Sequence, residues 1–121
     1  MKQYQIINAY KATEKLINND KLSAKDLWSI FQVRKALKPH WDFQAEREQA
    51  LQEKYKNSFD ENGNLSGPDM TKFIRELNEI NNLEIEIESK KKPSIRWKDD
   101  CGITIAIVEA LEDFIDFTLE D

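Results

Sequence analysis

The sequence predicts an α+β fold, mainly helical, in which about four helices, the second long and kinked near Pro39, carry one antiparallel β-hairpin near residues 83–98. Three observations predict it. Apolar residues recur at three- and four-residue steps over most of the chain, which marks amphipathic helices. One stretch, Leu83 to Glu88, instead alternates apolar and acidic residues, the period of a half-buried strand. No linker, low-complexity segment or internal repeat divides the 121 residues, a length suited to a single domain spanning residues 1–121.

The first helix is expected from Gln3 to Asn18, with Ile6, Ile7, Tyr10, Thr13, Leu16 and Ile17 on one stripe and Asn18-Asn19-Asp20 ending it. Ser23 followed by Asp26 resembles a capping box, and an acid there suits the positive end of a helix. The second helix starts at this point, with Leu27, Ile30, Phe31, the stem of Arg34 and Leu37 facing inward. Pro39 removes an amide donor and crowds the preceding turn, so the chain either kinks or begins a new helix at a corner. The helix formers from Glu46 to Lys54 favour the kinked helix. Its later half, where Trp41, Ala45, Leu51 and Tyr55 are sparse, is expected to project from the core.

Asp60-Glu61-Asn62-Gly63-Asn64 reads as a turn, because Asn-Gly supplies the positive φ that tight turns need. A third helix follows, with Ser66 as cap, Pro68 in its first turn, Asp69 completing the box, and Met70, Phe73, Ile74, Leu77 and Ile80 buried. In the hairpin Glu88 faces Ser94, Ile87 faces Ile95, Ile85 faces Trp97, Glu86 faces Arg96 and Glu84 faces Lys98, around a Lys90-Lys91-Lys92-Pro93 loop. Each such pair adds about 0.2 to 1 kcal/mol. A rival reading extends the third helix through Lys92; Asn81-Asn82 and the strict alternation weigh against it. Thr104 caps a last helix running to Leu119, with Ile105, Val108, Leu111, Ile115 and Leu119 inward.

Net charge is −5, unevenly spread: residues 99–121 hold eight acidic side chains and no basic one, while the rest of the chain is net +3. That layout argues against a general nucleic-acid binder, whose affinity comes from clustered Lys and Arg. It points to a protein partner. Glu109, Glu112, Asp113, Asp116 and Glu120 fall on one face of the last helix as read here. They are either a solvated face, partly matched by Lys2, Lys11 and Lys15, or a surface that imitates a phosphate backbone and docks on a basic patch. Trp41 is the tryptophan expected to stand exposed as an interface anchor, with Trp28 and Trp97 in the core.

The chemistry-bearing residue types form no reactive constellation. His40 has no second His or Cys near it in sequence, as a metal site or triad requires. Cys101 is the one cysteine, so no internal disulfide forms, and beside Asp99 and Asp100 it reads as a small buried residue. In the Asp60 turn the glycine comes two positions early for a calcium loop, and Thr71 stands where a bidentate glutamate belongs. Three glycines build no phosphate-cradling loop. No enzyme, metal or cofactor is expected. The amino terminus lacks the apolar run of a secretory signal and nothing approaches the roughly 20 apolar residues of a membrane span, so a reducing cytoplasm is expected.

Leu37-Lys38-Pro39 in a long charged helix, Glu53-Lys54-Tyr55, Asp60-Glu61-Asn62-Gly63-Asn64, the alternating Leu83–Glu88 and Ala110-Leu111-Glu112 together span most of the chain. In this order they resemble small proteins of unknown function encoded by phages and prophages of low-GC Gram-positive bacteria. The resemblance implies a phage accessory role in the bacterial host's cytoplasm, by binding and inhibiting a host protein such as a defence nuclease of the CRISPR type or another nucleic-acid enzyme. A virion assembly protein, self-associating through Trp41 and the projecting helix, and an enzyme of unrecognised type are the alternatives.

Overall fold

Helix α1 (Gln3–Ile17) buries Gln3, Ile6, Ile7, Ala9, Tyr10, Ala12, Thr13 and Leu16, the expected stripe with Gln3 and two alanines added and Ile17 only half-buried. A short connection, in which Leu22 N donates to Asn19 O at 3.3 Å, leads to α2 (Ala24–Lys54). Ser23 caps α2 as expected, its Oγ accepting from Asp26 N at 3.1 Å. The two helices run antiparallel, because Gln3 Nε2 donates to His40 O at 2.9 Å whereas Thr13, ten residues on, meets the Arg34 guanidinium at 3.3 Å. The structure, a computed structural model, describes residues 1–87, 92–98 and 101–119.

Pro39 does not divide α2, which continues through it as one helix, with the proline ring on the exposed side. Of its buried residues Ile30, Val33, Leu37, Gln44 and Leu51, all but Val33 stand seven apart. Seven residues make close to two turns, so one face stays turned inward along the whole rod.

The only sheet among the described residues is a parallel pair, β1 (Ser94–Trp97) with β2 (Asp116–Leu119), in the register Ser94↔Asp116 to Trp97↔Leu119. This overturns the antiparallel hairpin near residues 83–98. Leu83–Ile87 is extended, but it lies along the chain start: Gln3 N donates to Leu83 O at 2.9 Å, Ile85 N to Met1 O at 2.8 Å, and Lys2 bridges to Glu84. Glu84 therefore faces Lys2 (3.0 Å) instead of Lys98. Alternation requires only that Ile85 and Ile87 turn inward and Glu84 and Glu86 outward, and a different neighbour satisfies it equally well. The expected pairing of Glu88 with Ser94 lies outside the described residues.

A parallel pair cannot be closed by a tight turn and needs a crossover. Helix α4 (Ile105–Leu111) is that crossover, capped as expected by Thr104, whose Oγ1 accepts from Ile107 N at 3.3 Å. The helix expected to reach Leu119 stops at Leu111. Ile115 is buried and Phe117 half-buried while Asp116 and Thr118 between and after them are exposed, an alternation that meets the needs of a strand. The inward face of α4 is Ile107 and Leu111, and Ile105 is 65% exposed. In the β1–α4 link Asn19 Nδ2 donates to Cys101 O at 2.6 Å. Gly102 follows at φ +79°, where a Cβ would come within 3.0 Å of that amide nitrogen. Cys101 is buried, its thiol donating to Lys98 O at 2.9 Å.

The core gathers α1, the first half of α2, Ile95 of β1, Ile103, α4 and Ile115. Helix α3 (Pro68–Asn81) takes no part in it, and none of its residues is fully buried, against the expectation for Met70, Phe73, Ile74, Leu77 and Ile80. Its cap is Gly67, not Ser66. With a glycine as cap no capping box forms, and Asp69 instead accepts from the Ser58 hydroxyl. Before α3 the Asp60 turn forms as read: Asp60 Oδ1 accepts from Asn62 N (2.9 Å) and Asn64 N (2.8 Å), and Gly63 takes φ +78°. Helix α3 packs on the second half of α2 through Phe73, whose ring meets Tyr55 at 5.9 Å and Phe59 at 6.0 Å, both edge-on. Glu76 accepts from Lys54 Nζ at 2.6 Å and from Tyr55 Oη at 2.9 Å.

Candidate protein-interaction surface

The acidic residues do not share one helical face, because α4 ends before most of them. Glu109 stands on α4, Glu112 closes it, Asp113 lies in the following turn and Asp116 opens β2. Glu120 lies outside the described residues. Glu109, Glu112 and Asp113 are nevertheless neighbours through their three- and four-residue spacing, and where α4 packs on α1 they border, with Met1, Gln5 and Asn8, a shallow cleft of about 420 Å³. All three side chains are exposed, and no ion pair reaches them among the described residues. Of the lysines that could have matched them, Lys2 is committed to Glu84. Asp116 is set apart: Lys92 Nζ lies 4.0 Å from it and donates to Glu112 O at 3.1 Å.

Two groups elsewhere show how cations near a carboxylate act here. Hydrogen bonds from Lys2 and from the Met1 amino group hold the Glu84 carboxyl below its ordinary range. Lys54 and Tyr55 do the same for Glu76.

The tryptophans exchange their expected roles. Trp41 is half-buried, stacked on Tyr10 with centroids 4.7 Å apart and planes 23° off parallel, while the Arg34 guanidinium stands 4.3 Å from the centroid of the Tyr10 ring. Trp41 therefore does not stand exposed as expected, because the Tyr10 ring covers one of its faces. Trp97 is half-buried as its Nε1 donates to Ile103 O at 3.0 Å. Trp28 is the exposed one, at 62%, stacked on the exposed Phe31 at 5.5 Å. Helix periodicity holds the signal for this. Trp28 falls two residues, about 200° of rotation, from Ile30 and so points away from the inward face.

Trp28 lines a larger cleft of about 990 Å³ between α2, the extended Ile85–Ile87 and the turn after α4. Asp113, Met1 and Gln5 border this cleft as well as the acidic one, so the two adjoin. A separate depression of about 650 Å³ at the start of α2 is lined by Lys21, Lys25, Arg96 and Lys98 with Asp26, and Arg96 and Lys98 there are engaged by interactions of their own. Among the described residues no three His, Cys, Asp or Glu side chains gather as a metal site, and no helix is long and apolar enough to cross a membrane. No protein-family model, curated protein or solved structure matches the chain.

Proposed function

We propose that the protein works by binding another protein through the carboxylates of Glu109, Glu112 and Asp113, and that its partner offers a basic patch of the kind used to hold nucleic-acid phosphates. The observation that carries this reading is the exposure of three neighbouring carboxylates with no cation paired to them among the described residues. Like charges so placed repel one another and sit unfavourably at the carboxyl end of α4. A cationic partner relieves both penalties, and its long-range attraction speeds encounter. Inhibition of a host defence or nucleic-acid enzyme by a phage accessory protein is the biological form that the sequence resemblance gives to this chemistry.

The test is affinity capture from a bacterial lysate with the natural chain and with the Glu109→Lys/Glu112→Lys variant, identifying captured proteins by mass spectrometry. Capture of a basic nucleic-acid-handling protein that is released by moderate salt and lost in the variant is expected. Equal capture by both chains would overturn the reading.

A further inference from the structure

The floor of the larger cleft consists of two rows along α2, Trp28-Gln32-Ala36 and Ser29-Val33-Leu37, each stepping by four residues. Rows of this spacing form the ridges and grooves into which a second helix packs. They extend for about 12 Å, or two turns of such a helix. Ile85 and Ile87 make one wall, and Phe114 stands at the end. The carboxylates at the rim are Glu86 and Asp113, with Glu112 and Glu109 beyond Asp113; the two cations there are engaged already, Lys92 by Glu112 O and Asp116 and the Met1 amino group by Glu84 and Ile85 O. The cleft is thus apolar at its base and acidic along its edge, and an indole 62% exposed stands at one end of its floor.

We propose that this cleft docks an amphipathic helix of the partner protein, apolar where it meets the exposed Trp28 and Ala36 and the half-buried Ile85, Ile87 and Phe114, and basic along the edge facing Glu86 and Asp113. The inference rests on the carboxylate surface being a protein-docking surface, and it specifies what the partner presents there. Spacing of the rows selects a helix as occupant, and charge complementarity selects Lys or Arg along its edge. Trp28 is the anchor, since a large aromatic side chain closed off from water by its partner concentrates binding energy.

Three synthetic peptides test this by titration calorimetry and backbone amide shifts: an amphipathic helix of leucine and lysine, the same helix with glutamate for lysine, and one with serine for leucine at unchanged charge. The leucine–lysine helix should bind at one site and shift amides of residues 28–37 and 85–87; the other two should bind at least about tenfold more weakly. Trp28→Ala, which removes an exposed side chain and should leave the circular dichroism unchanged, should weaken the leucine–lysine helix at least about tenfold. Equal binding of the serine–lysine peptide would mean attraction by charge alone and would overturn the proposal. So would unaltered affinity in Trp28→Ala, or a free protein that sediments as a dimer with Trp28 covered, which would make a second copy the occupant. Failure of the carboxylate reading is separate: Glu109 and Glu112 do not line this cleft, and their reversal is read in the lysate experiment.

Discussion

Before Pro39, α2 lays Ile30, Val33 and Leu37 into a core shared with α1, α4 and the strands; from Gln44 onward its partner is α3, and there no α3 side chain is fully buried. In the first region Ile6, Leu16, Ile30, Leu37, Ile95, Leu111 and Ile115 are closed to water. The second is held by one edge-on aromatic cluster around Phe73, by Glu76 with Lys54 and Tyr55, and by Gln44 Nε2 donating to Asn81 Oδ1 at 2.8 Å. Its Met70 and Ile74 remain 44% and 43% exposed. Most of the stability that scales with buried apolar area therefore belongs to one end of the long helix, while at the other, where Leu51 and Tyr55 are the buried apolar side chains, directed polar contacts carry a larger share. Such regions open with different free energies, and the α2–α3 hairpin belongs at the lower end.

The sharpest way to break this contrast is to delete the same kind of atoms from both ends. Leu37→Ala and Leu111→Ala each leave a cavity among fully buried neighbours and should cost about 2 to 5 kcal/mol, read as a lower midpoint in urea unfolding. Ile74→Ala removes a side chain that water already reaches and should cost about 0.5 kcal/mol or less. Similar losses at both ends would erase the distinction. Gly102→Ala should fall between them, at about 1 to 2 kcal/mol, because the residue must keep a positive φ while its new Cβ presses on the Asn19 amide that holds the loop.

A change of pH should reach the hairpin first. Glu76 is held below the ordinary 4.5 by its hydrogen bonds to Lys54 and then Tyr55, so what it contributes is present above that value and is lost as acid carries pH down through the depressed one. The hydrogen bond to Glu76 holds Lys54 above 10.5, so its share is complete below that value and is lost as pH rises through the elevated one. Hydrogen exchange of α3 amides should accelerate, relative to those of α1, at both extremes. Glu76→Gln should make α3 exchange faster at neutral pH and abolish the acid dependence. Glu84 titrates in the same direction through Lys2 and the Met1 amine, so a Glu84→Gln background isolates the hairpin's part.

The difference between the two regions also governs what the sequence revealed. Helix α1 and the start of α2 were legible because burial on one face writes its period directly into residues such as Ile6, Tyr10, Thr13 and Leu16, and because Ser23 and Thr104 announce helix starts locally. The Leu83–Ile87 alternation showed an extended segment with one face inward but held no information on its neighbour, which proved to be Met1–Gln3. Residues 112–119 carried apolar positions compatible with either a helix or a strand; tertiary pairing of Asp116–Leu119 with Ser94–Trp97 decided it. For α3 the amphipathic pattern indicated a helix correctly and full burial incorrectly, since period reports orientation and not the depth of the partner. Among the acidic residues, sequence proximity was enough to find Glu109, Glu112 and Asp113 together, but the apolar cleft beside them is assembled from three distant segments and leaves no local trace.

The smallest expected effect on stability is also the one that best separates the two tryptophans. Trp28→Ala should shift unfolding by no more than about 0.5 kcal/mol, since the indole is mostly in water and its one aromatic neighbour, Phe31, is itself exposed. Trp41→Ala belongs with the core substitutions, because it strips the Tyr10 ring of its stacked partner and opens the α1–α2 seam. Paired urea titrations of the two variants decide the matter. If Trp28→Ala proved as damaging as Trp41→Ala, the indole would be a buried structural element and the cleft beside it a packed seam, with no room to receive a partner's helix.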